Sequence, residues 1–186
     1  MRNFTNGDNG TLYLDEGEIR ASDAFLDIGS GTLKGNGNLI GDFVANGLIE
    51  PGFNTGRLDF FGDLALGLTS SLEIELAGIS DHDLITVSRD LILDGQLEVD
   101  LINGFELTSG QTFSFLEVAG MTGGNFEGLL DGDVVARFGK VDLRIDYGVN
   151  GSSSICFFTT SSIPEPCSGI VLAASAVILI SRRRRS

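Results

Sequence analysis

An all-β domain of stacked parallel coils, followed by one short C-terminal helix, is the fold class this sequence predicts, and three observations lead to it. Short apolar runs are punctuated by Gly, Asn and Asp, with 26 glycines, 3 prolines and no tryptophan in 186 residues. Segments return along the chain at a spacing near 25 residues, the length of one coil of a β-solenoid. The C-terminal stretch alone is uncharged and mostly apolar over a length suited to a helix, and four arginines follow it. A β-sandwich is the alternative, because Asp94-Gly95 and Asn103-Gly104 also suit hairpin turns.

The opening stretch, MRNFTNGDNGTLYLDEGEIRASDAFLDIG, has no apolar run longer than Ala24-Phe25-Leu26. It lacks the apolar h-region of about 7–15 residues that a signal peptide needs, and reads like the middle of a repeat. The expectation is a domain over residues 1–158 that is truncated at its N-terminus. From Gly31 the repeat is visible. Gly31-Thr32-Leu33 and Gly37-Asn38-Leu39 return as Gly56-Arg57-Leu58 and Gly62-Asp63-Leu64, and DLALGLTSSLEIEL at 63–76 returns as DLILDGQLEVDL at 90–101.

Within these units apolar and polar residues alternate, as they do on a strand with one buried face. Leu64, Leu66, Leu72, Ile74 and Leu76 should face inward, with Leu91, Leu93, Leu97, Val99 and Leu101 in the next unit. Asp63, Glu73, Glu75, Asp90, Asp94, Glu98 and Asp100 should face water. Beyond Phe113, FSFLEVAG, KVDLRIDYG and SICFFT read as closing strands, and residues 159–163 as a polar linker.

The formal net charge is −14, and leaving out the four terminal arginines puts 8 basic residues against 26 acidic ones, or −18. Nucleic acid is thereby excluded as a partner, since phosphate binding needs a basic face. Cys156 and Cys167 are too few for a disulfide framework or a metal site. Asp81-His82-Asp83 holds the only histidine, but neighbours on a strand point to opposite faces, so it reads as a turn or strand entry and not a base or metal ligand. The acidic group Asp8, Asp15, Glu16 and Glu18 could attract calcium but lacks any calcium-loop spacing. No nucleophile elbow, phosphate loop or dinucleotide fingerprint occurs, and the expectation is a protein without catalytic residues, metal or cofactor.

The tail, residues 164–186, carries the most specific signal. Pro164-Glu165-Pro166 is followed by an uncharged stretch over residues 167–181 and then by Arg182, Arg183, Arg184 and Arg185. A helix over that stretch would be about 22 Å long, short of the roughly 30 Å hydrocarbon core. Terminal arginines can snorkel and the bilayer can thin to meet it. The positive-inside rule would keep the arginines cytoplasmic.

Pro-Glu-Pro, a short apolar helix and a terminal arginine cluster, in that order, resemble the PEP-CTERM sorting signal. The resemblance implies a precursor in the inner membrane of a bacterium that makes extracellular polysaccharide. It also implies processing near Pro164–Pro166 by exosortase, a membrane transpeptidase, with a mature form at the cell surface or in the extracellular matrix. Residues 37–66, through Pro51-Gly52, Gly56 and Leu58, are similar in turn to the repeats of autotransporter-type passenger domains, which implies a right-handed parallel β-helix. The expectation is a non-enzymatic envelope protein with extracellular polysaccharide as a further partner. The alternative is a β-helix that binds or cleaves polysaccharide.

Overall fold

A computed structural model describes residues 10–21, 26–27, 29–148 and 154–161, and among them it holds sixteen strands and no helix. The chain passes repeatedly through the same strand positions. The first pass holds β1 (Thr11–Arg20) and β2 (Leu26–Asp27), and the second β3 (Thr32–Ile40) and β4 (Phe43–Ala45). The third pass holds β5 (Leu48–Pro51), β6 (Arg57–Phe61) and β7 (Leu64–Leu66). The fourth holds β8 (Ser71–Leu76), β9 (Leu84–Val87) and β10 (Leu91–Leu93), and the fifth β11 (Gln96–Leu101), β12 (Thr112–Val118) and β13 (Thr122–Gly124). The chain then turns back as β14 (Val134–Phe138), β15 (Val141–Asp146) and β16 (Ser154–Ser161).

Among the described residues every strand ladder between passes is parallel, with one isolated antiparallel bridge from Gly35 to Gly52. The last strands of the passes form a sheet in the order β13-β10-β7-β4-β2. The others form an eleven-stranded sheet, β11-β8-β5-β3-β6-β9-β12-β16-β15-β14, with β1 on β3. Long β3 serves two positions: Thr32 lies opposite Leu48 of β5, and Gly37 opposite Leu58 of β6. Only the last three strands run antiparallel, β12 to β16, β16 to β15 and β15 to β14. The larger sheet curls like a barrel until β14 approaches β11, so it is nearly closed and compatible with a solenoid-like fold.

The alternation in sequence becomes a single core. Leu33, Ile49 and Leu72 stack along one wall, Leu39, Phe60 and Val87 along the second, and Phe43, Leu64 and Leu91 along the third, all fully buried. At about 1.5–3 kcal/mol for each buried side chain, the stacked passes bury what one pass could not. At the far end the antiparallel strands add Leu143, Ile145, Ile155 and Phe157, and Phe157 stacks on Phe115 with ring centroids 4.0 Å apart.

The spacings of 27 and 25 residues are the register of the molecule: Leu64 pairs with Leu91 and Leu72 with Leu97. The earlier spacing of 25 is not. Leu33 lies opposite Ile49 and Leu39 opposite Phe60, because passes two and three are shorter and the loop from Gly52 to Gly56 is inserted between β5 and β6. Asp94-Gly95 turns a corner from one sheet to the other, and the parallel ladders leave no place for the sandwich alternative. Leu97, Val99 and Leu101 are only partly buried, and among the described residues β11 is the last strand of its row. Thr159, Thr160 and Ser161, expected in a linker, belong to β16, where Thr159 is buried and its hydroxyl donates 2.7 Å to the Thr108 carbonyl.

Corners are held by carboxylates that accept backbone N–H groups from the next pass. Asp42 accepts from Asp63 at 2.9 Å, Asp63 from Asp90 at 3.0 Å, and Asp90 from Met121 at 2.8 Å. Where β3 bends, Gly35 has φ of +115°, and a Cβ there would lie 1.8 Å from the Leu14 carbonyl oxygen. Gly35→Ala should therefore destabilise the fold by about 1–3 kcal/mol from the backbone alone, plus the cost of relieving the clash. Chemical denaturation with an unchanged m-value would show it.

Candidate carboxylate recess

The parallel register stacks like residues on one another. On the outer surface of the wall formed by β3, β5, β8 and β11, Lys34 lies opposite Glu50, Glu73 opposite Glu98, and Glu75 opposite Asp100. Glu50 is the next residue of β5 after Ile49, which pairs with Leu72, so Glu50 and Glu73 face each other. Lys34 Nζ reaches Glu50 at 2.7 Å, and that hydrogen bond pushes its pKa up. Lys34, Glu50, Pro51, Gly52, Glu73, Glu75 and Asp83 together line a shallow recess.

Asp83 closes its floor. It is 1% exposed, and its two oxygens accept N–H groups from Gly56 at 2.7 Å and from Glu75 at 2.8 Å. Burial pushes its pKa up to about 7, against the two backbone donors that hold it down. Glu73 is also raised to about 7, first by burial, then by a hydrogen bond with Glu50 and by the carboxylates of Glu50, Asp100 and Glu75. Burial raises Glu75 as well, with Lys34 opposing. Glu73, half-buried at the recess, could exchange a proton with a bound molecule, while Asp83 has both oxygens engaged by backbone amides.

Beside the recess the loops before β6 and β9 meet, with the Thr55 hydroxyl donating to Asp81. Phe53 of the first loop reaches back to β1 and stacks on Tyr13, with centroids 6.1 Å apart. Both rings are more than half exposed, at 53% and 63%. They form an aromatic ridge at the N-terminal end of the acidic row.

Asp81, His82 and Asp83 are separated as alternation requires. His82 Nε2 lies 3.0 Å from the Ser114 carbonyl, and its ring meets Phe113 edge-on at 5.7 Å. The residue is a staple between the fourth and fifth passes. Glu18 of the opening acidic group pairs with Arg20 on β1, while Asp8 lies outside the described residues. Among the described residues there is no group of three or more side chains arranged to hold a metal ion. Cys156 is free on half-buried β16, and burial raises its pKa.

The sorting residues Pro164, Glu165, Pro166 and Arg182 to Arg185, with the apolar stretch 167–181, lie outside the described residues. Among the described residues no helix is long and apolar enough to cross a membrane. Alternation in the sequence places Glu73, Glu75, Glu98 and Asp100 on the outer face but does not reveal the recess. Glu50 and Asp83 join it only through a register that the uneven loop lengths conceal. A comparison with known proteins finds no family model and no curated protein that matches. What the geometry defines is a class: a mostly parallel all-β body with an acidic, partly protonated face.

His82→Ala removes the bond to Ser114 and the contact with Phe113. It should lower stability by about 1–2 kcal/mol while leaving the fold intact. A urea midpoint equal to that of the parent would show that the staple carries nothing.

Proposed function

We propose that this chain is a non-enzymatic bacterial surface or extracellular-matrix protein, exported as a right-handed parallel β-helix and sorted by an exosortase-type transpeptidase. The order of motifs from Pro164 to Arg185 carries this reading. The apolar stretch enters the inner membrane as a helix, and the arginines hold its end in the cytoplasm at about 2.5–3.5 kcal/mol for each charge that would otherwise cross. Pro164-Glu165-Pro166 then stands at the outer boundary in an extended backbone, because each proline disfavours helix in the residue before it. The mostly parallel body supports the reading, since stacked passes give a wide, even surface without needing disulfides or metal.

A second reading, a β-helix that binds or cleaves polysaccharide, is favoured by the recess. The carboxyl group of Glu73 supplies a proton donor, and Tyr13 with Phe53 supplies exposed ring faces. Loss of polysaccharide cleavage on Glu73→Gln would establish it against the first.

The sorting reading is tested by expressing the chain behind a signal peptide in a host that has exosortase. The mature C-terminus is then measured by mass spectrometry. Cleavage near Pro164–Pro166 is expected. Replacing those three residues by Ala should leave an inserted, uncleaved precursor, and replacing Arg182–Arg185 by Ser should let the precursor slip through the membrane. A surface product that still ends in the arginine cluster would overturn processing.

A further inference from the structure

We propose that the carboxyl row is a proton-operated latch across the seam between β5 and β8: a proton held at Glu73 keeps the two passes together, and its loss drives them apart. The seam is the thin place in that wall. β8 pairs with β11 over six residues, but with β5 only at Ser71 and Leu72, and just past β5 the Gly52 amide donates to the Gly35 carbonyl. Where the backbone ladder stops, carboxyl groups take its place. Glu50 and Glu73 face each other across the gap, and Asp83 accepts the Glu75 and Gly56 amides that β5 leaves unserved.

The charges around Glu73 explain the dependence on a proton. From β5 it meets Glu50, from β8 Glu75, from β11 Glu98 and Asp100, and from the loop before β9 Asp83. Among the described residues that line the recess the one cation is Lys34 on β3, and it is engaged by Glu50. Of the two other titratable groups in the loop before β9, Asp81 points to Thr55 and His82 to Ser114. An ionised Glu73 is thus surrounded by like charge one strand spacing away, which is a repulsive pairing.

Glu73 and Asp83 are both pushed up to about 7 by burial, well above their ordinary range. Their contribution to stability is therefore fully present in acid and is lost as the pH rises through about 7.

The test is thermal unfolding of the full chain in a mild non-ionic detergent, from pH 5 to pH 8.5 at constant ionic strength. The midpoint of the parent should fall by a few degrees as the pH rises from 6 to 8. Glu73→Gln, which keeps a hydrogen-bond donor for Glu50 without a charge, should lessen that fall to the share of Asp83 and exceed the parent at pH 8. Glu98→Gln, on the free edge strand, should flatten it to a lesser degree. Glu106→Gln, which removes the same charge from an exposed loop, should keep the parent's slope. A parent midpoint that is level or rises over this range would overturn the latch. So would a Glu73→Gln slope equal to the parent's, or a Glu106→Gln slope as flat as that of Glu73→Gln, since the effect would then be net self-repulsion.

Discussion

The parallel ladder between successive passes is the constraint on which the rest of this molecule depends. A strand in the middle of a parallel sheet satisfies its backbone groups only if a neighbour lies on each side in register. Here the neighbours are the same chain one pass earlier and one pass later, so each pass holds the next and is unfinished without it. The three walls share one core, and a slip of one residue in the fourth pass would turn Leu72 and Ile74 outward and Glu73 inward.

Register has a second effect, on charge. Because pairing is parallel, repeated sequence places like on like: Asp on Asp at one corner and Glu on Glu along one wall. The fold resolves the two cases differently. At the corner each aspartate takes a backbone N–H of the next pass, and Arg89 lies 3.4 Å from both Asp42 and Asp63. On the wall one amide, that of Glu75, is taken by Asp83, and the rest of the carboxyl row is relieved by Lys34 at one end and by raised carboxyl pKa values in the middle. The same acidity that reads in the sequence as a plain soluble surface is structural at the corner and titratable on the wall.

How much of this is legible in the sequence depends on loop length. Where two passes have nearly equal loops, as from Leu64 to Leu91, the repeat in sequence is the register in space, and both the inward and the outward faces follow from it. Where a loop is inserted, as between Gly52 and Gly56, similarity and register diverge. Gly31-Thr32-Leu33 resembles Gly56-Arg57-Leu58 without pairing with it. The recess falls in that region, so Glu50 and Asp83 cannot be assigned to it from spacing alone. Thr159 escapes a reading by composition, because a threonine run is polar on average while on β16 alternate residues face the core.

The position of β16 decides how the body would respond to force. It lies between β12 and β15, bonded on both sides, and the strand ends at Ser161, with the chain continuing toward Pro164. Tension applied through that continuation pulls β16 along its own length. Its cross-strand hydrogen bonds are then loaded together in shear and cannot break in succession, as they would if an edge strand were peeled away. Phe157, wedged against Phe115 in the core, must be dragged past its neighbours before the strand can slide. A body tethered by its C-terminus would thus resist extraction through a strand bonded on both sides, and not through an edge strand such as β14.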